Sequence, residues 1–192
     1  MIFFPIKKYY CPVCDTILDH YNPLPLFYAE ESKKHGYKYF GMGEMTPHDT
    51  YSCPHCGASD RERLYAYYLK NDLTKWGAFV FYHFAPERSL KEFIQGYFHD
   101  CHYKTFDLVS DNVDIKADLT NLRMINDNEC DFFICSHVLE HIVDDRSAIA
   151  ELFRITKPGG KGILMVPISL ALQRSIENIP NVETDEDRWR YY

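Results

Sequence analysis

Nothing in this 192-residue sequence approaches the length of a membrane span, which takes about 20 consecutive apolar residues. The opening Met1-Ile2-Phe3-Phe4-Pro5-Ile6-Lys7-Lys8 lacks the layout of a secretory signal, because its charges follow a very short apolar run. An excess of positive charge is missing too. The balance of 21 basic against 28 acidic residues, a net charge of -7, gives no general electrostatic pull on nucleic acid or an anionic membrane. A local basic patch remains compatible with it. These absences favour a cytoplasmic protein of one or two domains, and 46% apolar residues suffice for a compact core.

Cysteine, by contrast, is well supplied. Four of the seven cysteines come in pairs, Cys11 with Cys14 and Cys53 with Cys56, while Cys101, Cys130 and Cys135 are scattered. Each pair reads Cys-Pro-x-Cys. Two intervening residues let one tight turn aim both thiolates at a single ion, and two such turns supply the four ligands of a tetrahedral structural metal. Gly57 suits the turn after the second pair. In a reducing compartment the pattern favours a metal over disulfides. Zinc is expected ahead of the iron that rubredoxin-like knuckles also hold. No helix follows Cys14 as a thioredoxin motif requires. Four sulfurs leave no open coordination position, so the metal is expected to be structural. His55, inside the second knuckle, is expected to point away from it, and His20 and His48 to lie at the surface. Residues 1–60 thus read as a zinc-ribbon-like module with a short helix around Ala29 to His35. A connecting helix lies within 61–76, its pattern running from Ser59 to Asn71. On it Tyr65, Tyr67 and Tyr68 follow Arg61 and Arg63, a set that suits either ring stacking or packing between subdomains; packing is the preferred reading.

From Gly77 to the end the sequence reads as an α/β domain. Ala78 to Phe84 forms a first apolar strand, Ser89 to Phe98 a helix, Tyr103 to Leu108 a second strand, and Val113 to Ala117 a short third one. Phe132 to Ile134 suits a strand buried on both faces. Asp144 and Asp145 then open a helix where carboxylates favour exposed amides and the positive dipole end. Ala148, Ile149, Leu152, Phe153 and Ile155 give that helix an apolar stripe, and Lys157-Pro158-Gly159-Gly160 is expected to stop it. Ile163 to Val166 reads as the next buried strand. Strands alternating with helices imply a doubly wound parallel sheet, in which ligands bind beyond the carboxyl ends of the strands.

His137-Val138-Leu139-Glu140-His141-Ile142, followed by Glu151-Leu152-Phe153-Arg154-Ile155-Thr156-Lys157-Pro158-Gly159-Gly160, resembles the S-adenosylmethionine-dependent methyltransferases of Rossmann-like fold, in their small-molecule, type 11-like branch. The loop after the first strand of that fold is usually glycine-rich, whereas Phe84-Ala85-Pro86-Glu87 contains no glycine. The order of motifs resembles a bacterial subgroup of these enzymes that combines a Cys-Pro-x-Cys module, the Arg61-Glu62-Arg63 helix, a His-x-Ala-Pro-Glu loop and the His-Val-Leu-Glu-His segment. The resemblance implies a cofactor site. Asp107 would accept bonds from both ribose hydroxyls, which suits an acceptor-only carboxylate. Asp118 and the amide of Leu119 would read the adenine. Ala85, Pro86 and Glu87 would line the methionine end, with Glu87 taking the ammonium, and Ser136 and His137 would close the pocket. Asp107 and Asp118 also fit the simpler role of turn-forming acids at strand ends.

Methyl transfer from a sulfonium needs alignment and, for a hydroxyl acceptor, a base. His137 and His141 are the candidates. His137-Val138-Leu139-Glu140-His141 also matches the His-x-x-Glu-His signature of inverted zinc proteases, but that chemistry needs one continuous helix, and this segment crosses a strand-to-helix junction. A divalent ion held by His137, Glu140 and His141 is a further expectation from related methyltransferases. The sheet is expected to be incomplete at its C-terminal end, with the last strands missing, and Arg188, Trp189 and Arg190 read either as the start of an acceptor lid or as a disordered end. The functions that remain open are methylation of a small or carbohydrate-type hydroxyl acceptor, methylation of an RNA base with the zinc module gripping the strand, and non-catalytic binding.

Overall fold

The computed structural model describes residues 8–43, 47–175, 184 and 187. Arg188, Trp189 and Arg190 lie outside them. The chain divides into two compact units, 1–67 with 167–192, and 68–166. The boundary expected at 76/77 therefore falls inside the second unit, and residues 167–175 group with the first. No helix among the described residues is long and apolar enough to cross a membrane.

The first unit holds a two-stranded antiparallel ribbon, β1 (Tyr9–Cys11) and β2 (Thr16–Leu18), and helix α1 (Leu26–His35). Gly36, at φ 72, ends α1 in the left-handed conformation and donates to the carbonyls of Lys33 and Ser32. Helix α2 (Asp60–Asp72) begins in this unit. Its start is a reciprocal cap: the Ser59 amide donates to Glu62 Oε2 at 2.8 Å, and the Glu62 amide donates to Ser59 Oγ at 3.4 Å.

The second unit is a five-stranded, wholly parallel sheet with helices, Rossmann-like as expected. Its strands are β3 (Phe79–Phe84), β4 (Cys101–Asp107), β5 (Ile115–Lys116), β6 (Cys130–Ser136) and β7 (Thr156–Met165) in spatial order β5-β4-β3-β6-β7. The chain runs outward from β3 to β5, then crosses to β6 on the other side. That reversal leaves a crevice beyond the carboxyl ends of the central strands. Side-chain alternation divides the core. On one face Tyr82, Phe84, Phe106 and Cys135 join Leu119, Leu122 and Ile125 and the buried Ala148, Leu152 and Ile155 of helix α4 (Asp145–Ile155). On the other, Phe81 packs edge-on to Tyr103 and Phe132. Helix α3 (Arg88–Tyr97) buries Leu90, Phe93 and Ile94, an i, i+3, i+4 stripe.

Three sequence readings need correction. Ile149 and Phe153 are exposed, Phe153 at 83%, so the buried stripe of α4 is narrower than the apolar pattern. Helix α4 stops at Ile155, before Pro158, because Thr156 turns extended. Lys157 to Gly160 belong to β7, where the register against β6 jumps from Thr156 to Lys161 while β6 advances only from Cys130 to Phe132. Gly159, at φ 82, lies in that irregularity and not at a helix cap. The segment Ile163 to Val166 is half-exposed, because β7 is an edge strand among the described residues.

Candidate functional site

The four paired cysteines converge. Their sulfurs lie within 4.8 Å of one another, with Cys11 to Cys56 and Cys14 to Cys53 both at 3.8 Å. Four sulfurs about 2.3 Å from a central ion at tetrahedral angles stand about 3.8 Å apart, so the donor set fits a tetrahedral thiolate metal. Each second cysteine is followed by a left-handed residue, Asp15 at φ 55 and Gly57 at φ 79. Tyr10 Oη donates to Asp15 Oδ1. The His55 amide donates to Cys53 Sγ at 3.4 Å. His20, His48 and His55 are exposed. Behind the second knuckle stands Arg63, which is buried. Its guanidinium donates to the carbonyls of Tyr51, Ala58 and Thr50 at 2.7, 3.1 and 2.8 Å and lies 3.8 Å from the centre of the Tyr21 ring. Arg63 is thereby a fastener of the knuckle and offers no stacking face of the kind considered from the sequence.

In the second unit the strand ends and loops after β3, β4, β5 and β6 carry the expected cofactor residues. Pro86 and Asp107 line one cleft of about 570 Å³, together with Arg88, Lys91, Glu92, Gln95, Ser110, Asn112 and Val113. Ala85, Glu87, Asp118, Leu119, Ser136 and His137 are not among its lining residues. Asp107, at the end of β4, accepts from the amides of Val109 and Ser110 through Oδ1 at 2.8 and 2.7 Å, which fixes the direction of its carboxylate. Asp118 makes the same kind of turn. Its Oδ1 accepts from the Thr120 amide at 2.9 Å and hydroxyl at 2.8 Å, and these bonds hold its pKa below the usual carboxylate value. Leu119 is buried in the core beside it.

The loop after β3 makes its turn without glycine by placing Ala85 itself in the left-handed region, at φ 49, with its amide donating to the Phe106 carbonyl at 2.7 Å. His137 takes the equivalent place after β6 at φ 56, its amide donating to the Met165 carbonyl at 3.0 Å. Left-handed non-glycine residues at two neighbouring strand ends are local strain of the sort that collects at functional sites. Below Ala85, His83 is fully buried, with Nδ1 at 2.8 Å from Tyr103 Oη and Nε2 at 3.3 Å from Glu87 Oε2. The His83/Glu87 spacing is visible in the sequence, but Tyr103 on the next strand carries no local signal.

His137 Nδ1 stands 3.1 Å from Glu140 Oε1, while Glu140 Oε2 is buried with no hydrogen-bond partner. His141 is exposed. Leu139–His141 forms a single short 3-10 turn, so the protease signature has no continuous helix. Nor do His137, Glu140 and His141 gather into a metal site: among the described residues, the four cysteines are the only close group of three or more His, Cys, Asp or Glu ligand atoms. Cys130 and Cys135 are buried thiols, each pushed up to about 12 by burial, and are therefore poor nucleophiles.

Two of the residues that carry the sequence resemblance, Glu151 and Arg154, are architectural. Arg154 grips Glu151 with Nε at 2.7 Å and Nη2 at 2.9 Å, and reaches Asp127 and the carbonyls of Ile125 and Leu122. Glu151 Oε2 also accepts from the Leu122 amide at 2.6 Å. Together they fasten the 122–127 loop to α4.

Residues 84–164 match the family described as methyltransferase domain. No curated protein matches. Solved structures similar to the chain include a candidate S-adenosyl-L-methionine-dependent methyltransferase from Methanococcus maripaludis, 18% identical, with TM-score 0.41 over 51% of this chain and 53% of that one. Another is the CurJ carbon methyltransferase, 12% identical, with TM-score 0.41 over 52% and 32%. The chain thus spans about half the length of the first and a third of the second.

Proposed function

From the match of residues 84–164 to the methyltransferase-domain family we propose that the chain transfers a methyl group from S-adenosylmethionine to the hydroxyl of a small or carbohydrate-type acceptor. The observation that carries the reading is Asp107, a fixed carboxylate at the end of β4, lining a cleft beside the crevice of a doubly wound sheet. An acceptor-only group in that place suits a vicinal diol. Ala85, Pro86 and Glu87 support the methionine end, Asp118 and the Leu119 amide the adenine, and Ser136 and His137 the fourth-strand side. The left-handed Ala85 lets the backbone turn there without glycine.

When bound, the cofactor supplies an electrophilic methyl group on a sulfonium leaving group. What the chain adds is position and a proton acceptor. Glu140 Oε1 stands 3.1 Å from His137 Nδ1, an acceptor-only neighbour on that side of the ring, which makes Nε2 the proposed proton acceptor. With the cofactor bound, His137 Nε2 would receive the acceptor hydroxyl's proton while that oxygen took the methyl group and the carbon–sulfur bond broke, leaving a neutral thioether. His141, exposed and outside the His137–Glu140 pair, is the second candidate base. The four thiolates hold zinc as a closed structural site, a reading supported by their mutual distances.

Replacing Asp107 with Ala is expected to abolish S-adenosylmethionine binding measured by calorimetry. Unchanged affinity would remove the site assignment. Binding of RNA with a steep salt dependence would instead favour base methylation, and a wild-type chain that binds neither the cofactor nor its demethylated product would favour a non-catalytic role.

A further inference from the structure

We propose that His83, locked by Tyr103, is a positioning residue that sets the Glu87 carboxylate to receive the ammonium of the cofactor's methionine portion. The inference rests on the methyltransferase reading above and adds to it two residues beneath the loop.

An imidazole stands where a hydrophobic side chain would ordinarily lie. His83 is fully buried on β3, on the sheet face that carries Phe79 and Phe81. A buried imidazole must have both nitrogens satisfied, or desolvation costs more than the ring contributes. Here both are. A carboxylate has no hydrogen to give, so Nε2 carries the proton directed at Glu87 Oε2, 3.3 Å away. Nδ1 is then the acceptor, and the Tyr103 hydroxyl donates to it at 2.8 Å. Tyr103 is kept a donor by burial, which pushes its phenol well above the usual range. The result is a directed chain, phenol to imidazole to carboxylate, with one tautomer.

Glu87 is the residue this chain aims. It sits at the N-cap of α3, where an acidic side chain ordinarily folds back on the helix amides, yet it makes no such cap bond. Its carboxylate turns to His83 and keeps 18% of its side chain exposed. Ala85 and Pro86 lead into it with a left-handed turn and a fixed proline φ, and Pro86 and Arg88 on either side line the cleft. An oriented carboxylate at this strand end complements a cationic amine. It also gives the glycine-free loop a device for holding its shape that glycine-rich loops do not need.

The test separates the ammonium subsite from general folding by comparing two ligands. S-adenosylhomocysteine carries the amino-acid portion; methylthioadenosine has the same nucleoside and no ammonium. Affinities of both are measured by calorimetry for the full chain and for His83→Phe, Tyr103→Phe and Glu87→Gln. The expected result is a loss of about tenfold or more for S-adenosylhomocysteine in His83→Phe and Glu87→Gln, a smaller loss in Tyr103→Phe, and methylthioadenosine unchanged in all three. The His83→Phe/Glu87→Gln double variant should lose no more than either single one, as coupled residues do. Equal losses for both ligands would reduce His83 to a structural role and overturn the proposal, as would no loss for either. Should His83→Phe fail to fold, Tyr103→Phe, which keeps the ring in place, decides between the same outcomes. A wild-type chain that binds methylthioadenosine as tightly as S-adenosylhomocysteine would overturn the subsite alone. One that binds neither would overturn the methyltransferase reading with it.

Discussion

Replacing Ala85 with Gly should stabilise the protein, against the usual effect of that substitution. Ala85 stands at φ 49 directly after β3, with its amide held by the Phe106 carbonyl. A left-handed residue with a Cβ pays about 1–2 kcal/mol in steric strain. Glycine removes that strain but raises the entropy of the unfolded chain, a cost of about 0.5–1 kcal/mol. The amide bond to Phe106 survives the change, so the difference favours glycine by about 0.5–1 kcal/mol, or about 1–4 °C in melting temperature. Thermal unfolding followed by circular dichroism reads this directly. Ala150→Gly, in the middle of α4 and exposed, is the control and should lose about 1 kcal/mol. Ala85→Val should melt below wild type, since a branched side chain tolerates the left-handed region worst. If Ala85→Gly and Ala150→Gly are destabilised alike, the strain argument for the glycine-free loop is refuted.

Glu151 should contribute to an acid limb of stability. Its pKa is held below the ordinary value chiefly by Arg154. A depressed folded value means the stabilisation is complete above the unfolded pKa of about 4.3 and is lost as pH falls through the lower folded one. Urea titrations between pH 6 and about pH 2.5 should show that loss, and Glu151→Gln, which starts less stable, should flatten it; an unchanged limb would show that the contact with Arg154 is energetically idle. Stripping metal with a chelator should raise amide exchange around β1, β2 and both knuckles while leaving β3 and β6 protected. Equal protection before and after would mean that the cysteines hold no metal.

Much of the second unit was legible because its strands are short apolar runs and α4 carries an acidic start. Each strand from β3 to β6 overlaps its expected span. Sequence pattern cannot report what covers an apolar side chain, so Ile149 and Phe153 were read as core although they face solvent. The proline and glycines at 158–160 were read as a helix stop because that is their commonest use, whereas Thr156 had already turned the chain into β7. The four metal-binding candidates were legible because their chemistry is local: two residues between thiolates fix the turn. The His83–Tyr103–Glu87 chain was not. It needs the pairing of β3 with β4, which brings residues 20 positions apart onto one face. Glu151 and Arg154 were recognised by resemblance, and only the structure shows that they tie the 122–127 loop to α4.

The two knuckles have a consequence for how the front of the chain depends on its surroundings. An ion joining Cys14 to Cys53 would bridge 39 positions of chain. By the entropy relation used for covalent cross-links, a closure of that length is worth about 4 kcal/mol. Free metal at about a thousand times its dissociation constant supplies a similar amount through mass action. Arg63 and the Ser59–Glu62 cap hold the second knuckle, while the first is held by the three-residue strands on each side and by the Tyr10–Asp15 and Tyr21–Tyr10 hydroxyl bonds. With such an ion bound, folding of the front unit would become a readout of metal supply.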